Sequence, residues 1–117
     1  MKTKLIELAT SKQIGFNSQM FTDTNLKHGL KENLRYYLWM CELQKWCRDK
    51  HWMWIEVNFD SITYDVNIYG KYSSEEIKLI SYLSNPYTYL FITYEQALEE
   101  GLYQTLLLIQ EENVKGN

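Results

Sequence analysis

The stretch from Trp52 to Tyr69, WMWIEVNFDSITYDVNIY, restricts the fold of this chain more than any other segment. Met53, Ile55, Val57 and Phe59 alternate with Trp52, Trp54, Glu56 and Asn58, and after Asp60 and Ser61 the pattern resumes. Ile62, Tyr64, Val66 and Ile68 then alternate with Thr63, Asp65, Asn67 and Tyr69. A period of two on both sides of a short polar turn predicts an antiparallel hairpin with one apolar face. A hairpin is marginal alone, so that face must be covered by other elements.

The flanking sequence supplies helices for the purpose. Residues 4–14 place Leu5, Leu8, Ala9 and Lys12 at helical spacing and stop at Gly15, which suits a left-handed C-terminal cap with Phe16 folding back. Residues 17–28 are polar and read as a loop. The helix predicted over 30–50 has two apolar stripes. Tyr36, Trp39, Met40, Leu43, Trp46 and Cys47 form one, and Leu30, Leu34, Tyr37, Leu38 and Cys41 form the other. The sheet can cover the first, and either the N-terminal helix or an outside partner the second. Arg48, Lys50 and His51 end this helix, where its dipole favours cations.

Beyond Gly70 the pattern is mixed. Ser73 and Glu76 have capping-box spacing, and Ile77, Ile80 and Leu83 suit a short helix over 73–83, although the same residues also fit a strand. YTYLFI, after Pro86, is β-rich and predicts a third strand. Thr93 and Gln96 form a second capping box ahead of a long helix striped by Tyr94, Leu98, Leu102, Thr105 and Ile109. The fold expected is α+β in two layers, a small antiparallel sheet of about three strands with helices on its apolar face. At 117 residues one domain spans 1–117, with a flexible tail over about 113–117.

Composition narrows the function classes. Twelve basic residues against fifteen acidic, a net charge of -3, leave no broad basic footprint for a polyanion. Two cysteines and a polar N-terminal stretch suit a reducing, cytoplasmic setting. No apolar run approaches the roughly 18 residues that a membrane helix requires.

Candidate chemistries are few. Cys47 and His51 are four apart, and Cys41 and His28 would complete a metal-ligand set on paper. Cys41 and Cys47 nevertheless stand about 120° apart around the helix, and neither belongs to a close Cys-x-x-Cys pair. A Cys47 nucleophile with His51 as base lacks an assured third group, although Asp49 is near in sequence. Glu75 with Glu76 and Glu99 with Glu100 read as solvated helix faces. Glu56 and Asp65, on one side of the hairpin, are the acidic pair best placed to bind a cation or share a proton, with simple solvent exposure the leading reading. No phosphate loop, nucleophile elbow or His-Glu-x-x-His motif occurs. No metal, cofactor or catalytic residue is therefore assigned.

Surface aromatics remain. With ten tyrosines and four tryptophans, Trp52, Trp54 and Tyr69 fall opposite the aliphatic strand stripe, and Tyr103 and Leu107 interrupt the polar side of the last helix. These five are the candidate partner-binding residues, unless a further helix buries the Trp pair. The expectation is a non-catalytic interaction protein, homodimeric or bound to another protein. The alternatives are nucleic-acid stacking on exposed aromatics beside Lys45, Arg48 and Lys50, or a small enzyme.

Two segments carry a resemblance. LQKWCRDKHWMWIEV and the terminal TYEQALEEGLYQTLLLI resemble a group of small uncharacterised proteins encoded by phages and mobile elements of gut bacteria. Gln44, Lys45, Trp46 and Arg48 match one shared pattern, and Tyr94, Glu95, Ala97 to Glu100, Gly101 and Leu102 match the other; Cys47 and Gln96 depart from it. ATSKQIGF is similar to the group's first helix ending in Gly-Phe. The resemblance implies a cytosolic accessory protein of mobile-element origin and carries no activity.

Overall fold

The computed structural model describes residues 1–22, 32–59, 63–73, 76–83 and 93–115. In chain order they form helices α1 (Lys2–Thr10) and α2 (Glu32–His51), strands β1 (Met53–Phe59), β2 (Tyr64–Ser73) and β3 (Glu76–Leu83), and helix α3 (Tyr94–Lys115). The strands make one antiparallel sheet in the order β1-β2-β3, and the helices pack on one side of it. This is the two-layer α+β arrangement that the hairpin demanded.

The first pairing follows the sequence pattern. Met53 stands opposite Gly70, Ile55 opposite Ile68 and Val57 opposite Val66. Met53, Ile55, Val66 and Ile68 are buried under the helices. Phe59, counted with them by alternation, is 62% exposed; it lies at the end of β1 and instead meets the Tyr64 ring at 5.0 Å.

Residues 76–83 are a strand, not the short helix favoured by their spacing. Ile68 pairs with Ser81 but Tyr69 pairs with Leu79, so Ile80 is an extra residue in the ladder, a β-bulge. The inserted residue puts Ile80 and Leu83 three apart on the helix side of the sheet, a step that imitates a helix, while Ile77 faces the other way. The β-rich segment after Pro86, residues 87–92, lies outside the described residues.

Helix α3 crosses the sheet at Gly101. A Cβ there would stand 2.8 Å from Val66 Cγ1 and 2.9 Å from Ile55 Cγ2, closer than packed carbons approach. Its start is the predicted capping box: the Gln96 amide donates to Thr93 Oγ1 at 3.1 Å, and the Thr93 amide donates to Gln96 Oε1 at 3.3 Å. The helix runs on through Lys115, past the expected start of a flexible tail, and Asn113 Nδ2 donates to the Gln13 carbonyl at 2.7 Å.

The three helices among the described residues run in the same sense. Lys2 pairs with Glu32 at the start of α1 and α2. Tyr36 Oη donates to Glu99 at 2.5 Å, linking the early turns of α2 and α3, and Gln13, just after α1, reaches Gln110 and Asn113 late in α3. Helix α1 stops at Thr10, short of the expected end at residue 14, and Ser11 instead of Gly15 closes it, but the expected left-handed Gly15 and return of Phe16 are present. Gly15 has φ of 71°, its amide donates to the Ser11 carbonyl and that of Phe16 to Ala9. Phe16 is buried, with its ring 5.7 Å from Trp39 and 5.5 Å from Trp46.

Of the two α2 stripes, the first is core: Trp39, Met40, Leu43 and Cys47 are buried. The second is open, with Leu34 54% and Leu38 41% exposed. The N-terminal helix leaves these two leucines in solvent because α1 packs chiefly on α3.

Candidate functional site

The sheet face away from the helices is built by strand alternation. With Met53 and Ile55 turned to the core, Trp54 and Glu56 must point the other way. Register places Trp54 opposite Tyr69, and Tyr69 opposite Leu79. Trp54 and Tyr69 are half-buried, whereas Ile77, Leu79 and Tyr82 are each more than half exposed. An aromatic and aliphatic band thus crosses all three strands. Among the described residues no element covers it. The three β3 members were hidden from a reading that made 73–83 a helix, although the alternation of Ile77 and Leu79 with Glu76 and Lys78 carried the signal.

One end of the band is acidic. Glu56 stands opposite Asn67, and Asp65 opposite Asn58, so the two carboxylates are diagonal neighbours. Glu56 Oε1 accepts from Asn58 at 3.1 Å and Asn67 at 3.2 Å, and Asp65 accepts from Tyr82 Oη at 3.0 Å. The amide donors hold the Glu56 carboxyl below the usual carboxylate range. Each acid has its own neutral donors, so the two carboxylates do not share a hydrogen bond.

The remaining candidates lie elsewhere. Trp52 does not continue the β1 alternation, because its φ of 54° turns the chain between α2 and the strand. It is 54% exposed and borders a cleft with His51, on the helix side of the sheet. Tyr103 and Leu107 are half-buried on α3, with Tyr103 packed against the core. The five candidates therefore divide among three places: Trp54 and Tyr69 on the helix-free sheet face, Tyr103 and Leu107 on α3, and Trp52 at the turn between α2 and β1.

Local chemistry disfavours a cysteine nucleophile. Cys47 is fully buried among the α2 core residues, and burial pushes its thiol up to about 12, opposite to what thiolate attack requires. His51 stacks edge-on to Trp46 at 4.7 Å; burial first, and Lys50 second, hold it below the ordinary imidazole value. His28 lies outside the described residues. Among the described residues no three His, Cys, Asp or Glu side chains come together to hold a metal ion, and no helix is long and apolar enough to cross a membrane.

The cations of α2 are also apart from the aromatic band. Lys45 and Arg48 both reach Asp49, at 3.3 and 3.4 Å, on the helix side of the sheet. Stacking platforms and phosphate partners are not juxtaposed. No family model matches the chain, and no match was found among curated proteins or solved structures.

Proposed function

We propose that this protein is a non-catalytic protein-interaction module, an accessory protein of mobile-element origin, whose docking surface is the helix-free face of the sheet. The observation that carries the reading is the band of Trp54, Tyr69, Leu79, Ile77 and Tyr82, with the last three more than half exposed on one face. Contiguous apolar surface rimmed by polar groups is uncommon on an isolated domain and marks interfaces. Its aromatic members supply anchors of large area at small conformational cost. The mobile-element origin rests on the resemblance of the Gln44–Arg48 and Tyr94–Leu102 segments.

The partner tested first is a second copy of the chain. Two sheets packed face to face bury both apolar bands at a spacing of about 10 Å. A twofold contact centred on the Tyr69 and Leu79 row leaves Glu56 and Asp65, each already hydrogen-bonded, toward the rim, where charge costs little. Light scattering across a concentration series tests it. The wild type should associate, and Leu79→Glu should be monomeric with an unchanged far-ultraviolet spectrum. Identical monomers for both proteins at every concentration would refute self-association through this face.

A further inference from the structure

The two outer edges of the sheet differ. Strand β2 is central, so β1 and β3 each present a row of backbone N–H and C=O groups to whatever lies beside them. On β1 the row is interrupted. Gln44, from α2, donates its side-chain amide to the Ile55 carbonyl at 2.9 Å, and α2 packs along the strand. Among the described residues no strand pairs with the outer edge of β3.

The Gln44 bond also fixes which β3 groups point outward. An Ile55 carbonyl turned to α2 makes Trp54 and Tyr69 a hydrogen-bonded pair of the first ladder, and alternation then turns the Gly70 backbone toward β3. Gly70 stands opposite Lys78, so the backbones of Ile77 and Leu79, one residue to either side, face away from β2. Strand β3 is held mainly by β2, and Glu76 to Ile80 are all exposed. Eight residues rich in Ile, Leu and Tyr, with one open edge, form a template for a further strand.

Such an edge specifies the chemistry of its partner, because a row of donors and acceptors is matched in full only by another extended backbone. A second copy fits poorly. The Ile80 bulge, present on both strands of a twofold pair, would confine the ladder to the few residues before it. A bulge-free segment can follow the edge on either side. Ile77 and Leu79 alternate with Glu76 and Lys78, which pair with each other at 3.3 Å. The complementary antiparallel segment therefore alternates apolar residues with a glutamate opposite Lys78 and a lysine opposite Glu76.

We infer that the outer edge of β3 accepts a strand from another protein, an extended segment with that alternating pattern. The ladder uses backbone groups in the plane of the sheet, which face-to-face packing leaves open, so it does not depend on self-association through the docking face.

Amide hydrogen exchange of the full chain, titrated with the blocked peptide Thr-Val-Glu-Val-Lys-Val-Thr, tests the assignment. Saturable slowing of exchange at Ile77 and Leu79 is expected. The same peptide N-methylated at its first two valines keeps every side chain but loses the two amides that face β3, and it should not bind. Ile77→Pro deletes one outward amide without touching the β2 ladder, and should weaken binding by about fivefold or more. Binding by a chain that stays monomeric supports the edge even where self-association through the face fails. Equal binding of the N-methylated peptide, or no saturation at millimolar peptide, would overturn the proposal. Slowed exchange at Ile77 and Leu79 on concentrating the protein alone would assign the edge to a second copy and overturn the choice of partner.

Discussion

Replacing Gly101 with alanine should destabilise the domain, against the usual trend for glycine inside a helix. Propensity alone favours alanine by about 0.8–1.0 kcal/mol. The new methyl, however, would stand 2.8 Å from Val66 Cγ1 and 2.9 Å from Ile55 Cγ2. Both neighbours are branched at Cβ and held in a sheet, so neither methyl can swing away without an unfavourable rotamer. Overpacking of this kind costs about 1–3 kcal/mol, which leaves a net loss of about 1 kcal/mol. For a chain of this length that is a fall in Tm of roughly 3–6 °C, readable by circular dichroism. Val66→Ala removes one of the two obstructing methyls, so the double variant should lose less than the sum of the single losses. A higher Tm for Gly101→Ala than for the wild type would show that helix and sheet do not approach so closely, and the helix–sheet packing described above would be wrong.

The remaining predictions concern Trp52 and the alkaline limb of stability. Trp52→Gly should leave Tm unchanged or raised, because it relieves a left-handed strain of about 1–2 kcal/mol at a side chain that is 54% exposed; a fall of several degrees would show that the ring is chiefly structural. Stability should also decline as pH rises above about 9. Burial raises the Cys47 thiol to about 12, and burial together with Glu99 raises the Tyr36 phenol. In each case the unfolded chain releases its proton first, so the folded state is fully favoured below the ordinary pKa and loses that advantage above it. Each such group contributes a slope of up to about 1.4 kcal/mol per pH unit. Urea titrations at pH 8 and 10 should show the decline, and it should be shallower in Cys47→Ala; a flat profile would contradict the burial of both groups.

Much of the architecture was legible because it rests on local rules. The hairpin follows from alternation, the left-handed Gly15 turn from the lack of a Cβ, and the α3 cap from Thr93 and Gln96 bonding each other's backbone. Elsewhere a local rule was broken by one residue. Ile80 is inserted in the β3 ladder, and a one-residue shift reverses which side chains face out; the Ile77 and Leu79 half of the docking band was lost with it. Trp52 was assigned to the sheet face because the alternation was extended one step past the point where the backbone turns left-handed. The open Leu34 and Leu38 stripe and the shared direction of the helices are tertiary facts. They depend on which neighbour α1 chooses, and no spacing within α1 or α2 specifies that. The cleft beside Trp52 is of the same kind, since His51, Gly70 and Leu108 meet there only after the sheet and helix layers are joined.

The most direct test of the docking face is sedimentation velocity on the wild type, Leu79→Glu and a control, Leu38→Glu, at matched high concentration. The account predicts a concentration-dependent dimer for the wild type and for Leu38→Glu, and a monomer for Leu79→Glu. A dimer that survives Leu79→Glu but is lost in Leu38→Glu would contradict it, and would move the interface to the open stripe of α2.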